Sequence, residues 1–168
     1  MKKALLAFMV VIVLAFVMPY RAEAVEQVYP EGKAWEYGAS ILYKDLQNGV
    51  KDTVSVGLRM QRRVVYPLLL GVGVEGAEIG DVLYGEVNVP VTVRTTIGDV
   101  KADLIGRPGV AYAKNSKTDV SKFMGVGTVG LEFKYFVIKG VSVGVGVYYS
   151  ITTYSKMNNL SAGLVISF

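Results

Sequence analysis

The feature of this sequence that most restricts its fold is an alternation of apolar and polar residues, which recurs in eight segments after Val25. In the first segment every second position is apolar or aromatic, at Trp35, Tyr37, Ala39, Ile41 and Tyr43. A period of two is produced by β-strands, because successive side chains of a strand point to opposite faces. Most segments run for roughly nine to twelve residues, which suits a tilted membrane-spanning strand better than the five or six residues of an average globular strand.

Two closed architectures fit eight such strands, and the composition of the two faces distinguishes them. A soluble lipocalin-like barrel buries its apolar face, whereas a membrane barrel turns that face toward lipid and keeps its lumen polar. Here one face is Val, Leu, Ile and aromatic, while the other is mainly Gly, Ser, Thr and charged residues. Small residues suit the narrow interior of an eight-stranded barrel. The sequence therefore predicts an all-β, eight-stranded antiparallel up-and-down transmembrane β-barrel.

The charged residues at inward positions are nearly balanced in sign. A charge enclosed in a barrel must be paired or hydrated. The sequence therefore predicts an ion-pair network that plugs the lumen, formed by the acids Glu36, Glu75, Glu86, Asp103 and Glu132 and the bases Arg59, Arg94, Arg107 and Lys134. For Glu75 and Arg107, a position near a strand end in solvent is an equally open alternative.

Aromatic residues gather near the strand ends on the apolar face. One group is Trp35, Tyr66, Phe133, Tyr135 and Phe168, and the other is Tyr43, Tyr112, Phe123 and Tyr149. Two rims of aromatic side chains are typical of the girdles that membrane barrels place at the membrane–water interfaces. The sequence predicts that these residues form such girdles, although an aromatic stripe is more often ordinary core.

The first 24 residues have the pattern of a secretory signal peptide. Lys2 and Lys3 precede an apolar run from Ala4 to Met18, and Ala22 and Ala24 supply the small residues of a cleavage site. The alternative is an uncleaved anchor, but the run is short for a spanning helix. We expect cleavage after Ala24, which leaves 25–168 as the barrel domain. The removed segment carries Lys2, Lys3, Arg21 and Glu23, so the formal net charge falls from +4 to +2.

The absence of certain residue types excludes several chemistries. The chain contains no His and no Cys, which rules out a Ser-His-Asp triad, a Cys nucleophile, His/Cys zinc sites and disulfides. The small positive net charge gives no argument for nucleic acid binding, and no cofactor or metal is expected.

The run Gly71–Gly76 has the pattern G-x-G-x-x-G of a phosphate-binding loop, but a strand rather than the required helix is expected to follow it.

Two prolines and the connections complete the expected topology. Pro90 and Pro108 each remove a ladder donor, so bulges or strand ends are expected at both. With both termini periplasmic, the expected outer loops are 44–52, 76–81, 113–122 and 155–158. The expected periplasmic turns are 62–65, 98–101 and 138–140.

The C-terminal segment and several internal stretches resemble the small outer-membrane β-barrel proteins. The resemblance rests on the terminal alternation Leu160, Ala162, Leu164, Ile166 and Phe168, on Val89-Pro90-Val91, on Gly109-Val110-Ala111-Tyr112-Ala113, on Gly125-Val126-Gly127 and on Phe133-Lys134-Tyr135-Phe136. It implies a barrel in the outer membrane, exported through the periplasm and inserted by the outer-membrane assembly machinery, which recognises the C-terminal strand. Outer-membrane lipid and lipopolysaccharide are the implied partners, and a monomer is expected.

Three functions remain open at this stage. A structural or surface-interaction role leads, because a plugged lumen of this size makes a general aqueous pore unsuitable. A narrow channel for small or apolar solutes is the second. A lipid-modifying enzyme is the third and weakest, because the barrel enzymes of that kind use a catalytic His that this chain lacks.

Overall fold

The computed structural model describes residues 35–46, 52–65, 67–138 and 140–168. They form nine strands and one short 3-10 helix at Ser155–Met157. In chain order the strands are β1 Trp35–Leu46, β2 Thr53–Val65, β3 Leu68–Ile79, β4 Val82–Asn88, β5 Val91–Ile97, β6 Val100–Asn115, β7 Ser121–Ile138, β8 Val141–Thr152 and β9 Asn159–Ser167. The predicted signal peptide lies outside the described residues, and no helix within them has the length and apolarity needed to cross a membrane.

The strands close into a ring in which every pairing is antiparallel. Strand β1 pairs with β2 on one side and with the last strand, β9, on the other. Strands β4 and β5 both lie between β3 and β6, and their pairings with β6 keep one continuous register. They are therefore two halves of a single barrel strand, and the barrel has eight strands. The predicted fold class is confirmed.

The two prolines behave differently from one another. Pro90 lies at the break between β4 and β5, as the prediction of a strand end required, while its carbonyl still accepts from Gly71 N at 3.1 Å. The same prediction was wrong for Pro108, which lies inside the 16-residue β6 and pairs in register with Gly127. On the other side of β6 the Pro108 carbonyl accepts from Val89 N at 2.9 Å, so the Val89–Pro108 pair loses only the one hydrogen bond that an N–H at position 108 would donate.

The strands extend further than the alternation indicated. Strand β3 continues to Ile79, so the connection to β4 is only Gly80 and Asp81, and the φ of +59° at Gly80 is one that glycine adopts without strain. The strands likewise reach Leu46, Val65, Asn115 and Ser121, inside segments predicted as connections. Backbone hydrogen bonds between strands do not require an apolar face. At the barrel ends the strands therefore continue beyond the residues that alternate between apolar and polar.

The two ends of the barrel are named here by their connections. The turn end carries the β2–β3, β5–β6 and β7–β8 connections, and the loop end carries the β1–β2, β3–β4, β6–β7 and β8–β9 connections. Both the start of β1 and Phe168 lie at the turn end, where Tyr37 and Phe168 exchange two backbone hydrogen bonds of 2.9 Å. Two bulges, at Arg63/Val65 and at Phe136/Ile138, also lie at this end.

Candidate functional site

The lumen at the turn end contains an extended set of ion pairs, called here the turn-end cluster. Its members are Glu36, Arg59, Arg94, Lys101, Asp103, Glu132, Lys134 and Tyr148. Strand register explains part of it, because Arg94 is paired with Asp103 across β5–β6, and Asp103 with Glu132 across β6–β7. Three charged side chains on neighbouring strands thus share one inward-facing row.

Arg94 joins carboxylates from two directions. Its Nε and Nη2 each donate to Asp103 at 2.6 Å, and Nη2 also donates to Glu36 at 2.8 Å. The guanidinium side chain is 1% exposed. Because Glu36 comes from β1 and Asp103 from β6, this arginine connects strands that are not neighbours in the ring.

Glu132 is the second centre of the turn-end cluster. Both terminal nitrogens of Arg59 bind its carboxylate, with Nη2 at 2.5 Å, and the Tyr148 hydroxyl donates to it. Lys134 lies between Glu132 and Asp103, with its Nζ at 2.8 and 2.6 Å from their oxygens. The planar contact of two Arg59 nitrogens with the two oxygens of Glu132 holds this carboxylate in one orientation.

A second group of polar side chains, the loop-end cluster, lies further along the lumen. Lys44 and Arg107 share the Glu75 carboxylate, with Arg107 Nη1 at 3.3 Å. Glu86 is held differently, since it accepts from the Tyr84 hydroxyl at 2.6 Å and from Asn88 Nδ2 at 2.8 Å. The two clusters meet where Arg107 stacks over the Tyr148 ring, with its Cζ 4.5 Å from the ring centroid.

Inward glycines provide the space these long side chains occupy. A Cβ at Gly146 would lie 2.6 Å from the Tyr148 hydroxyl, and one at Gly130 would meet the same ring. At Gly38 a Cβ would lie 2.8 Å from Arg59 Nε. The glycine excess on the inward face therefore complements the few large polar residues that cross the lumen.

The lumen becomes apolar at the loop end, a feature that the alternation of residues does not predict. A buried cluster there comprises Leu46, Ala77, Ile79, Tyr84, Ala111, Met124, Val126 and Met157. Met157 belongs to the 3-10 helix of the β8–β9 connection, so part of this connection folds into the barrel mouth. Several of these positions fall in segments that the sequence predicts as loops, where the period-two pattern does not identify the inward face.

All nine residues of the predicted lumen network face inward, and the structure brings them together in the two clusters. Glu75 and Arg107 are 5% and 8% exposed, so the strand-end alternative is wrong for both. Lys44 and Lys101 are additional members, although the sequence predicts that both lie in connections. Lys44 is an even number of residues from Glu36 on β1, and Lys101 is two residues from Asp103 on β6. Each lysine therefore shares the inward face of that acid, and this spacing is the sequence signal that could have identified both.

The predicted girdle residues are found at both ends of the outer surface, except Tyr66, which lies outside the described residues. Trp35, Phe133, Tyr135 and Phe168 lie at the turn end, and Tyr43, Tyr112, Phe123 and Tyr149 lie toward the loop end. Tyr112 and Phe123 contact each other with ring centroids 5.0 Å apart. Arg62 lies over the Trp35 ring at 5.8 Å, a pairing of cation and aromatic ring that suits a membrane interface.

The terminal segment forms β9, the strand that closes the ring between β1 and β8. Four predicted assembly residues lie on its outward face, namely Leu160, Ala162, Leu164 and Ile166, and Phe168, directly after the strand, is half exposed. The run Gly71–Gly76 lies within β3 and is followed by β4, so the helix that a phosphate-binding loop requires is not the next element. Within the described ranges, no group of three Asp or Glu side chains is placed to hold a metal ion.

A closed antiparallel barrel of eight strands, apolar outside and charged inside, is the architecture of the small outer-membrane β-barrels. Neisserial surface protein A has this fold, with a TM-score of 0.63 to this chain at 14% identity, over 79% of this chain and 93% of that one. The N-terminal β-barrel domain of Pseudomonas aeruginosa OprF has a TM-score of 0.60 at 12% identity, over 79% and 96%. Ail, the attachment invasion locus protein of Yersinia pestis, has a TM-score of 0.54 at 11% identity, over 79% and 93%.

These likenesses show a shared fold. No family model matches the sequence, and no curated protein matches it.

Proposed function

We propose that this protein is an integral outer-membrane β-barrel with a structural or surface-interaction role and a polar, plugged lumen. The observation that carries the proposal is the distribution of side chains between the two faces of the closed sheet. The outer face of the barrel is mainly apolar, whereas most of the charged side chains inside it are paired.

The outer surface supports placement in a membrane. Outward residues such as Leu58, Val87, Val129 and Leu164 are each more than half exposed, and they belong to strands spread around the ring. Monomeric soluble proteins rarely expose a contiguous apolar surface larger than a few hundred Å². In a membrane the lipid acyl chains cover this apolar surface. Closure of the ring pairs the backbone N–H and C=O groups, which lipid cannot hydrogen-bond.

The lumen supports a role other than general conduction. Arg59 and Glu132 connect β2 to β7 across the interior, and Arg94 and Glu36 connect β5 to β1. At the loop end the apolar cluster with Met157 fills the interior. Charged bridges at one end and packed apolar side chains at the other leave little continuous space for solutes.

The surface-interaction part of the proposal concerns the loop end, where lipopolysaccharide is the proposed partner. Lys114, Lys117 and Lys122 are exposed there. Lys117 pairs with Asp81 at 2.7 Å, and Lys122 lies 4.7 Å from the centroid of the Tyr154 ring. Exposed ion pairs are weak, so these lysines remain available to anionic headgroups.

Planar-bilayer recording tests the plugged lumen. We expect little steady conductance from the folded protein, and folding is checked by a difference in gel mobility between boiled and unboiled samples. The Arg59→Ala variant removes a bridge across the lumen and should raise conductance. Arg62→Ala on the same strand is the matched control, because Arg62 lies outside over Trp35.

A large, stable conductance of the unmodified protein would overturn the plugged lumen and promote a channel function. Identical gel mobility of boiled and unboiled samples would count against the membrane barrel itself. The proposed contact with lipopolysaccharide predicts that vesicles containing it retain the protein more strongly than neutral ones, and that replacing Lys114, Lys117 and Lys122 by Gln removes the difference.

A further inference from the structure

One charged residue interrupts the apolar outer face of the barrel at the turn end. Arg62 is exposed on β2, between the outward residues Met60 and Val64 of the same strand. Its registered partners on the two neighbouring strands are Trp35 on β1 and Leu70 on β3. The guanidinium of Arg62 is therefore surrounded by apolar and aromatic side chains, on the surface that the proposed function assigns to lipid.

No acidic side chain shares this part of the outer face within the described strands. The outward acids Asp45 and Glu78 both lie at the loop end, and Glu36, next to Trp35 on β1, points into the lumen. The guanidinium contacts the Trp35 ring, whose centroid lies 5.8 Å from Arg62 Cζ. An aromatic ring attracts a cation but carries no net charge, so this part of the described barrel gives Arg62 no counter-charge.

The position of Arg62 along β2 places it near the boundary of the apolar band. Eight residues separate it from Val54, the first outward apolar residue of this strand at the loop end. At about 3.4 Å per residue this is roughly 27 Å along the strand, and a tilt of about 40° reduces it to roughly 21 Å across the membrane. The apolar band of such barrels is about 25 Å tall, so the Arg62 guanidinium reaches the level at which lipid headgroups begin.

We propose that Arg62 binds the headgroup phosphate of an anionic glycerophospholipid, in the membrane leaflet that meets the turn end. Two N–H groups of the planar guanidinium donate to the phosphate oxygens, while Trp35 holds the guanidinium in place. Val64 and Leu70 contact the upper part of the acyl chains. A zwitterionic lipid carries its own ammonium beside the phosphate, which competes with Arg62, so an anionic headgroup is favoured. This site depends on the proposed membrane location of the barrel.

Trp35 allows the site to be probed directly, because it is the only tryptophan of the chain and lies under Arg62. The protein is folded into vesicles of equal parts phosphatidylglycerol and phosphatidylcholine, in which one lipid or the other is brominated near the top of its acyl chains. Bromine quenches tryptophan fluorescence at short range, so the two measurements compare the two lipids beside Trp35 at one surface charge. We expect phosphatidylglycerol to be preferred about fivefold, the factor that corresponds to the roughly 1 kcal/mol contributed by one basic residue near an anionic surface. A ratio near one would overturn the proposal.

Three variants separate a specific phosphate contact from a general effect of net charge. Arg62→Gln should bring the ratio close to one, whereas Lys117→Gln, which removes the same charge from the loop end, should keep the fivefold preference in these vesicles without lipopolysaccharide. Arg62→Lys keeps the charge without the two parallel donors, so its ratio should be intermediate, and it replaces Arg62→Gln if that variant does not fold. A preference that persists in Arg62→Gln, that is unchanged in Arg62→Lys, or that falls equally in Lys117→Gln would overturn the proposal.

The same samples distinguish failure of this site from failure of the membrane barrel. The gel mobility of boiled and unboiled samples shows whether each variant is folded. Absence of quenching by either brominated lipid would refute the membrane location itself, whereas equal quenching by both would refute only the phospholipid site. An ionic contact at the membrane surface is screened by salt, so the preference of the unmodified protein should approach one in about 1 M salt, and a preference independent of salt would count against a phosphate at Arg62.

Discussion

Glu132→Gln removes one buried charge from the turn-end cluster while keeping the shape of the side chain. Glu132 is fully buried and binds Arg59, Lys134 and the Tyr148 hydroxyl. After the substitution Lys134 still has Asp103 at 2.6 Å, and the Gln carbonyl can still accept from Tyr148. Arg59 loses the carboxylate that binds both of its terminal nitrogens.

The magnitude follows from this one unpaired guanidinium. Removing one partner of a buried ion pair costs about 3–5 kcal/mol, because the remaining charge stays buried. The remaining bond from Lys134 to Asp103 places the expected loss in the free energy of unfolding toward the lower end, about 3 kcal/mol. The matched control is Lys117→Gln, whose exposed pair with Asp81 is worth about 0–1 kcal/mol.

Equilibrium urea unfolding in lipid vesicles measures these losses. Trp35 is the single tryptophan and lies at the rim of the barrel, so its fluorescence reports transfer out of the membrane interface. The double variant Arg59→Met with Glu132→Gln removes both charges and should be more stable than Glu132→Gln alone, with a coupling of about 0.5–3 kcal/mol. A Glu132→Gln loss no larger than that of Lys117→Gln, or full additivity in the double variant, would refute the argument.

Three further predictions concern packing, assembly and processing. Gly146→Val should destabilise the barrel by about 1–3 kcal/mol through overpacking against Tyr148, and Tyr148→Ala in the same chain should reduce that penalty; urea unfolding checks both, and additive losses would contradict the proposed contact. Deletion of Phe168 should lower the amount of protein inserted in the outer membrane, measured by fractionation, and normal insertion would argue against the terminal signal. N-terminal sequencing of the membrane form should begin at Val25, whereas Met1 would show an uncleaved anchor.

The alternation was sufficient to predict the architecture because it is a local property of the strands. From Leu160 through the end of β9 to Phe168, every second residue faces outward, whereas the intervening Ser161, Val165 and Ser167 are buried. This assignment needs only the fact that side chains alternate across a strand. The excess of glycine on the inward face then distinguished a membrane barrel from a soluble one.

The strand ends were predicted less well, for a physical reason. At the loop end, Leu46, Ile79 and Met124 face inward although they are apolar. Lys44 and Lys101 face inward although they resemble solvent-exposed residues of connections. Beyond the lipid-facing zone both faces have mixed composition, so hydrophobicity no longer identifies which side of the strand is inside.

The sequence by itself determined the number of strands, the face each presents to the lumen and nine of the charged residues enclosed there, while Lys44 and Lys101 were missed. Only the tertiary structure decided which charge meets which. Arg59 reaches Glu132 across 73 positions of the chain, and Arg94 reaches Glu36 across 58. These two contacts form only because β1 and β9 close the ring and because every strand pairing between them holds its register.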